Sequence, residues 1–257
     1  MTKEKHVFIC GFPRSGTSLL YSLLASYVKN YNFFDREMSA AYILHLEGSY
    51  VTKRPFDCLD IKKIMDSNIR QKNLKCIFMI RDLRSIITSI HSSFPDDYFI
   101  GYESTYHVEE NNFSKNDPGI NKIFEAYKNI KGAKILKYED LIKYPDKIQK
   151  ELGEIFNFKY SDDFCNFSEK NKVPAFLNLS MNRVRKIDHS RLNSWKNHPK
   201  RIKEQFTSFP ELFNILEELN YANNKEWFSE FEKTDPLLFE KTDPLLDEIR
   251  KAWKKIY

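Results

Sequence analysis

The sequence lacks the cysteine spacing of a metal or disulfide framework. Its four cysteines, Cys10, Cys58, Cys76 and Cys165, stand far apart with no CxxC or CxxH pair. A metal site is therefore not expected, and a reducing compartment is the default. Also missing is any apolar run that approaches a membrane span or a signal-peptide core. Met1-Thr2-Lys3-Glu4-Lys5 leads directly into Val7-Phe8-Ile9-Cys10. The expectation is a cytoplasmic protein with no transmembrane segment. The excess of basic over acidic residues is small as well, 41 against 36. A formal net charge of +5 suits anionic ligands but is too small to argue for nucleic acid. Aromatic residues, by contrast, are plentiful: 21 Phe and 14 Tyr supply a sizeable buried core and exclude a disordered chain. A length of 257 residues fits a single α/β core.

Three strand–loop–helix units follow one another. His6 to Cys10 is a short apolar run ending at Gly11, which suits a buried parallel strand. After the turn Phe12-Pro13-Arg14-Ser15-Gly16, Leu19, Leu20, Leu23, Leu24 and Tyr27 recur at helical spacing. Lys75 to Ile80 is a second strand, closed by Arg81-Asp82, and Ile86, Ile87, Ile90 and Phe94 predict a helix behind it. The third unit pairs Lys134 to Lys137 with a helix starting near Pro145, where a missing N–H costs nothing. Such alternation implies a parallel sheet flanked by helices, with ligands at the carboxyl ends of its strands.

Other stretches are less regular. Pro95 to Gly119 is polar and rich in breakers, and reads as a long loop that could cover an acceptor. Ser208-Phe209-Pro210-Glu211 has the pattern of a capping box before the apolar face Leu212, Ile215, Leu216 and Leu219. Near the end, Glu232-Lys-Thr-Asp-Pro-Leu-Leu238 returns as Glu240 to Leu246, a local duplication too short for a solenoid.

The chemistry concentrates in Gly11-Phe-Pro-Arg-Ser-Gly16-Thr17-Ser18, close to the nucleotide-binding pattern GxxxxGK[ST]. Backbone N–H groups of such a loop turn inward around phosphate oxygens, beside the positive end of the next helix. Thr17 stands where a kinase or GTPase needs Lys, and the cation sits at Arg14 instead. In that form Pro13-Arg14-Ser15-Gly16-Thr17-Ser18 resembles the 5′-phosphosulfate loop of the sulfotransferases. Arg81-Asp82-Leu83-Arg84-Ser85 with Ser89 resembles their 3′-phosphate motif, in which an Arg and a Ser hold the additional phosphate of 3′-phosphoadenosine 5′-phosphosulfate (PAPS). Arg suits that task through its paired donors. Tyr138-Glu139-Asp140-Leu141 resembles the family's adenine-side segment; core packing of Tyr138 is the other reading. Ser190-Arg191 through Trp195-Lys196 resembles the late segment that closes over the 3′-phosphate. Arg183, Arg185 and Lys186 nearby equally fit a solvated basic face.

The resemblance implies an α/β, three-layer, P-loop-like fold, with a sulfotransferase domain over residues 1–222 and an appendage over 223–257. It implies PAPS as donor, adenosine 3′,5′-bisphosphate (PAP) as product, no metal and no nucleic-acid partner. It places Pro13, Arg14, Ser15, Gly16, Thr17, Ser18, Arg81, Ser89, Tyr138, Ser190 and Arg191 around the donor. Arg14 would stabilise the bridging oxygen. Val51-Thr52-Lys53-Arg54-Pro55-Phe56 resembles a segment of tyrosylprotein sulfotransferases whose Lys contacts the transferring group, here Lys53. Phenol and steroid sulfotransferases carry a His next to that Lys; Arg54 replaces it. Glu37, with Asp35 behind it, lies where tyrosylprotein and heparan-type enzymes place a carboxylate base. Small-molecule, sugar, phenol, lipid and peptide-tyrosine acceptors all stay open. The alternatives are a P-loop small-molecule kinase, with Asp82 on a metal, and a non-catalytic nucleotide-binding module.

Overall fold

The computed structural model describes residues 3–91, 94–109, 112–167, 187 and 189–232. The first elements are β1 (Lys5–Gly11), α1 (Thr17–Tyr27), β2 (Tyr50–Lys53), α2 (Ile61–Asp66) and β3 (Asn73–Ile80). Next come α3 (Leu83–Ile87), β4 (Ile90–His91), β5 (Phe94–Tyr98), β6 (Ser104–Glu109) and β7 (Asn112–Pro118). The chain continues through α4 (Ile120–Asn129), β8 (Lys134–Lys137), α5 (Tyr138–Lys143) and α6 (Pro145–Phe156). It closes with α7 (Pro199–Ser208), α8 (Glu211–Glu218) and α9 (Ser229–Glu232). Two compact units are formed, Met1–Arg81 with Lys122–Leu192, and Asp82–Asn121 with Asn193–Tyr257. No helix among the described residues is long and apolar enough to cross a membrane.

The first unit is built on a four-stranded parallel sheet in the order β2-β1-β3-β8. β1 and β3 take the centre because Val7 to Cys10 and Cys76 to Ile80 are apolar without alternation, as strands covered on both faces must be. Leu20, Leu23, Leu24 and Tyr27 of α1 pack with Val7, Ile9, Ile77, Met79 and Leu136 of the sheet. Leu141 of α5 and Ile148, Leu152 and Phe156 of α6 join the same core. This is the expected α/β architecture, a central parallel sheet flanked by helices. β2 went unread in the sequence. Four residues give no periodicity, and its buried Thr52 is polar, matched only by a 2.9 Å hydrogen bond with His6 Nε2.

The second unit corrects three expectations. The helix after β3 ends at Ile87, because Ile86-Ile87-Thr88 is a β-branched run with poor helix propensity. Thr88 Oγ1 donates to the Arg84 carbonyl at 2.7 Å and closes the turn. Ile90 therefore begins β4, and Phe94 begins β5. The stretch Pro95 to Gly119 is not a loop: it holds β5, antiparallel to β4, and the hairpin β6–β7. Its breakers sit mostly at strand ends, with Pro118 in the terminal pair with Ser104 and Gly119 just after it. The capping box of α8 is not formed. Pro210 occupies the cap position and no side chain bonds the free N–H groups. The apolar face behind it is buried as expected, Leu212, Ile215, Leu216 and Leu219 all being inside.

Candidate active site

The loop between β1 and α1 has a backbone that most residues cannot adopt. Gly11, Arg14 and Gly16 have φ of 128°, 66° and 90°. At Gly11 a Cβ would lie 2.2 Å from the Met79 carbonyl oxygen on β3, so only glycine lets the two strands stay in register there. At Gly16 a Cβ would meet the Tyr138 ring at 2.5 Å. Arg14 is held left-handed without being glycine, an uncommon conformation for a residue that carries a side chain. Phe12 N–H bonds the Met79 carbonyl at 3.3 Å and Ser15 N–H the Phe12 carbonyl at 3.1 Å, which fixes the curl. Pro13, Ser15 and Thr17 are buried, while Arg14 and Ser18 are partly exposed. The buried Ser15 Oγ has no hydrogen-bond partner among the described residues. The first N–H groups of α1 have no intrahelical acceptor. Buried donors without acceptors at a helix N-terminus are what an anionic group requires, so the loop fits one.

Arg81, just past β3, reaches this loop. Its Nη1 donates to the Arg14 carbonyl at 3.1 Å, and its guanidinium lies 4.3 Å from the centre of the Tyr138 ring. Tyr138 opens α5 directly after β8, so three strand ends deliver Arg14, Arg81 and Tyr138 to one place.

A second cluster forms at the end of β2. Ile9 and Lys53 pair in register, and Arg54 N–H donates to the Ile9 carbonyl at 3.1 Å, so Lys53 emerges two residues short of the level of Gly11. Lys53 is buried and its Nζ is paired with the carboxylate of Glu37, itself half-exposed. Glu37 precedes β2 in the chain, on a segment tied down along its length. Tyr21 of α1 donates its hydroxyl to the Phe34 carbonyl at 3.0 Å and accepts from Phe34 N–H at 2.8 Å. Phe34 stacks on Tyr50 with ring centres 5.4 Å apart. Met38 N–H bonds the Lys53 carbonyl at 3.3 Å, and the buried Asp57 carboxylate accepts from Ala40 N–H at 2.9 Å. Burial pushes the Tyr21 hydroxyl up, which keeps it neutral and able to donate. It pushes the Asp57 carboxyl up too, although Arg54 stands beside it. Asp35 is exposed. Arg54, where phenol and steroid sulfotransferases carry a His, pairs with Asp57 and Asp60, at 3.5 and 2.8 Å.

Sequence reasoning singled out Lys53 and Glu37 separately and missed that they pair. It also missed Tyr21, Tyr50 and Asp57, for which the only signal was their residue type. The cysteines, far apart in sequence, are partly neighbours in space: Cys10 and Cys76 Sγ atoms lie 3.4 Å apart, and burial pushes the Cys10 thiol up. Both are free thiols.

Ser89 belongs to the second unit, just beyond α3, where Asp82 caps the helix by accepting from Arg84 N–H at 3.0 Å. The Asp82 carboxylate also receives Arg84 Nε at 2.9 Å and Nη2 at 2.7 Å. The Arg84 guanidinium packs against both Trp195 and Trp227, 4.3 and 4.6 Å from their ring centres. Ser190 and Arg191 are in a 3-10 segment, His189–Asn197. Arg183, Arg185 and Lys186, and the duplicated stretch from Lys233 onward, lie outside the described residues.

Neither a family model nor a curated protein matches the chain. Its structure is similar to the sulfotransferase domain from the curacin biosynthetic pathway, at 15% identity and a TM-score of 0.54, covering 85% of this chain and 98% of that one. A mouse sulfotransferase complexed with PAP is similar at 14% identity and a TM-score of 0.45, over 90% of each chain. The sulfotransferase domain of the Synechococcus PCC 7002 olefin synthase is similar at 14% identity and a TM-score of 0.42, over 76% of this chain and 89% of that one. The fold is of the sulfotransferase type.

Proposed function

We propose that this chain is a sulfotransferase that takes a sulfuryl group from PAPS and gives it to a hydroxyl or amine of a small-molecule, sugar or lipid acceptor. One observation carries the reading. The β1–α1 loop has the curl and the buried donors of an anion cradle, yet its cation is Arg14 rather than a lysine at position 17, and Arg81 of the neighbouring strand end is tied to it. The fold similarity to a sulfotransferase domain supports the same class.

Pro13 to Ser18 would hold the 5′-phosphosulfate end. Arg81 and Ser89 would hold the 3′-phosphate, with Tyr138 beside the adenine and Ser190 and Arg191 closing over the donor. Bound PAPS supplies an activated sulfuryl group on an anionic leaving phosphate. The protein's part is then positioning and electrostatics. Arg14 meets the charge that grows on the leaving oxygen. Lys53, buried at the end of β2, presents its ammonium to the transferring group, and its pairing with Glu37 fixes where it points. Glu37 takes the acceptor's proton, with Asp35 as the alternative carboxylate. The kinase reading loses its metal ligand, because Arg84 binds the Asp82 carboxylate through two nitrogens.

The test is a screen of acceptors with PAPS labelled on sulfur, run in EDTA alongside ATP labelled on its terminal phosphate with magnesium. Label passing from PAPS to an acceptor is the expected result. Transfer from ATP with none from PAPS overturns the proposal.

A further inference from the structure

The second unit contains a cleft of about 310 Å³ between the β5–β6 connection and α7, and the donor chemistry makes no use of it. We infer that this cleft is a ligand site in its own right, built for a small organic cation that carries N–H donors. The inference does not rest on the PAPS reading, and it names a ligand of opposite charge.

The one cation among the described residues of the lining is already committed. Arg201 donates from Nε to the Ile87 carbonyl and from Nη2 to the Ile100 carbonyl, each at 3.3 Å, and from Nη1 to Glu204 at 3.3 Å. Its face rests on Tyr98, 4.8 Å from the ring centre, and Tyr98 is held in turn by a 3.2 Å bond between its hydroxyl and His198 Nδ1. The remaining capacity of the cleft is for accepting hydrogen bonds. Gln205 lines it, is only 5% exposed, and its Oε1 has no hydrogen-bond partner among the described residues. A buried carbonyl left in that state is costly, and a ligand N–H reaching it removes the cost. Gly101 lies over this atom: a Cβ there would come within 3.5 Å of Oε1.

Charge and shape agree with a cation. Glu103 and Glu204 both line the cleft, Glu103 forms no ion pair among the described residues, and Glu204 shares one oxygen with Arg201. Two carboxylates against one committed guanidinium leave the cleft negative, on a chain whose net charge is +5. Tyr102 and Phe209 stack with ring centres 4.8 Å apart and offer aromatic surface, which attracts cations through its ring faces. The volume accommodates a single-ring ligand.

Three probes of one size and different charge test this: 2-phenylethylammonium, 2-phenylethanol and 3-phenylpropanoate. Each is titrated into the full ¹⁵N-labelled chain without nucleotide, reading the Gln205 side-chain amide, which is assigned by its loss in Gln205→Leu. The ammonium should shift that signal saturably and bind about tenfold tighter than the alcohol, the scale of one charge-assisted contact, with the carboxylate weakest. Gln205→Leu, which removes the buried polar group and is followed instead through the Gly101 backbone amide of the same cleft, should weaken the ammonium about tenfold. The exposed Glu103→Gln, which leaves the fold alone, should weaken it severalfold. The inference is overturned if alcohol or carboxylate matches the ammonium, if none binds at 20 mM, or if both variants bind as the parent does.

Discussion

At Gly16 the Tyr138 ring occupies the space a side chain would need, and replacing the glycine with alanine is the sharpest local test of the site. A residue with φ near 90° bears strain of about 1–3 kcal/mol when it has a side chain, offset by about 0.4–1 kcal/mol from the stiffer unfolded chain. The added Cβ would stand 2.5 Å from Tyr138 Cδ2, so the ring has to move. That ring carries the Arg81 guanidinium at 4.3 Å, a contact worth about 0.5–2 kcal/mol. The net loss is about 0.5–4.5 kcal/mol, centred near 2.5, or roughly 5–10 °C in unfolding midpoint at the centre for a chain of this size. Thermal unfolding reads the stability, and titration with PAP reads the displaced Arg81. Combining Gly16→Ala with Tyr138→Ala removes the overlap but not the backbone strain. The double variant should therefore lose at least about 1 kcal/mol less than the sum of the singles. An unfolding midpoint within 1 °C of the parent, or strict additivity, would refute the packing on which Arg81 depends.

Arg14→Ala keeps the backbone carbonyl that Arg81 uses, so the fold should hold while turnover falls about 10²–10³-fold, as when one oxyanion donor is removed; unchanged turnover contradicts the role. Arg81→Ala should act chiefly on nucleotide affinity, and a pure loss of turnover would reverse the two assignments. Glu37→Gln should lower turnover on an aliphatic alcohol or sugar about 10²–10⁴-fold with PAP affinity kept, whereas Asp35→Asn should not. Near-parental turnover in both variants excludes a carboxylate base. His6 titrates well below its ordinary 6.5, at about 3, because burial and then the charge of Lys72 oppose its protonated form. The unfolded chain therefore binds a proton below pH 6.5 that the folded chain refuses, and stability falls with pH. Between pH 6.5 and 5 this one group should cost about 1.6 kcal/mol. Urea unfolding of His6→Gln should show that slope removed, and an identical pH profile would mean the imidazole does not set it.

The sheet was legible because β1 and β3 are continuous apolar runs closed by Gly11 and by Arg81-Asp82, and because Pro145 marks the start of α6. The loop was legible for a different reason: glycine spacing and the displaced cation are local, and their geometry follows from the same eight residues. What depended on distant pairing was not. Glu37 and Lys53 read as two isolated charges, since the bonds that join their segments run from Tyr21 to Phe34 and from Met38 to Lys53. Cys10 and Cys76 become neighbours only through the register of β1 with β3. β6 and β7 were hidden because polar residues and breakers masked a hairpin whose cross-strand partners are polar, such as Ser104 with Pro118 and Thr105 with Asp117. The four-residue spacing of Ile86, Ile90 and Phe94 was coincidental, and the β-branched run stopped the helix after five residues.

The donor is the centre of the account, and comparing PAP with ADP tests it most directly. The two differ in the 3′-phosphate and in the β-phosphate, and only the first is what Arg81 and Ser89 are proposed to hold. Each charge-assisted hydrogen bond to that phosphate contributes about 1.5–3 kcal/mol before costs, and about 1.4 kcal/mol is tenfold in affinity. Calorimetric titration of the full chain should give PAP at least tenfold tighter than ADP, and Arg81→Ala should erase the difference while leaving ADP almost unchanged. Equal affinities, or tighter ADP, would contradict the claim that this loop was shaped for PAPS.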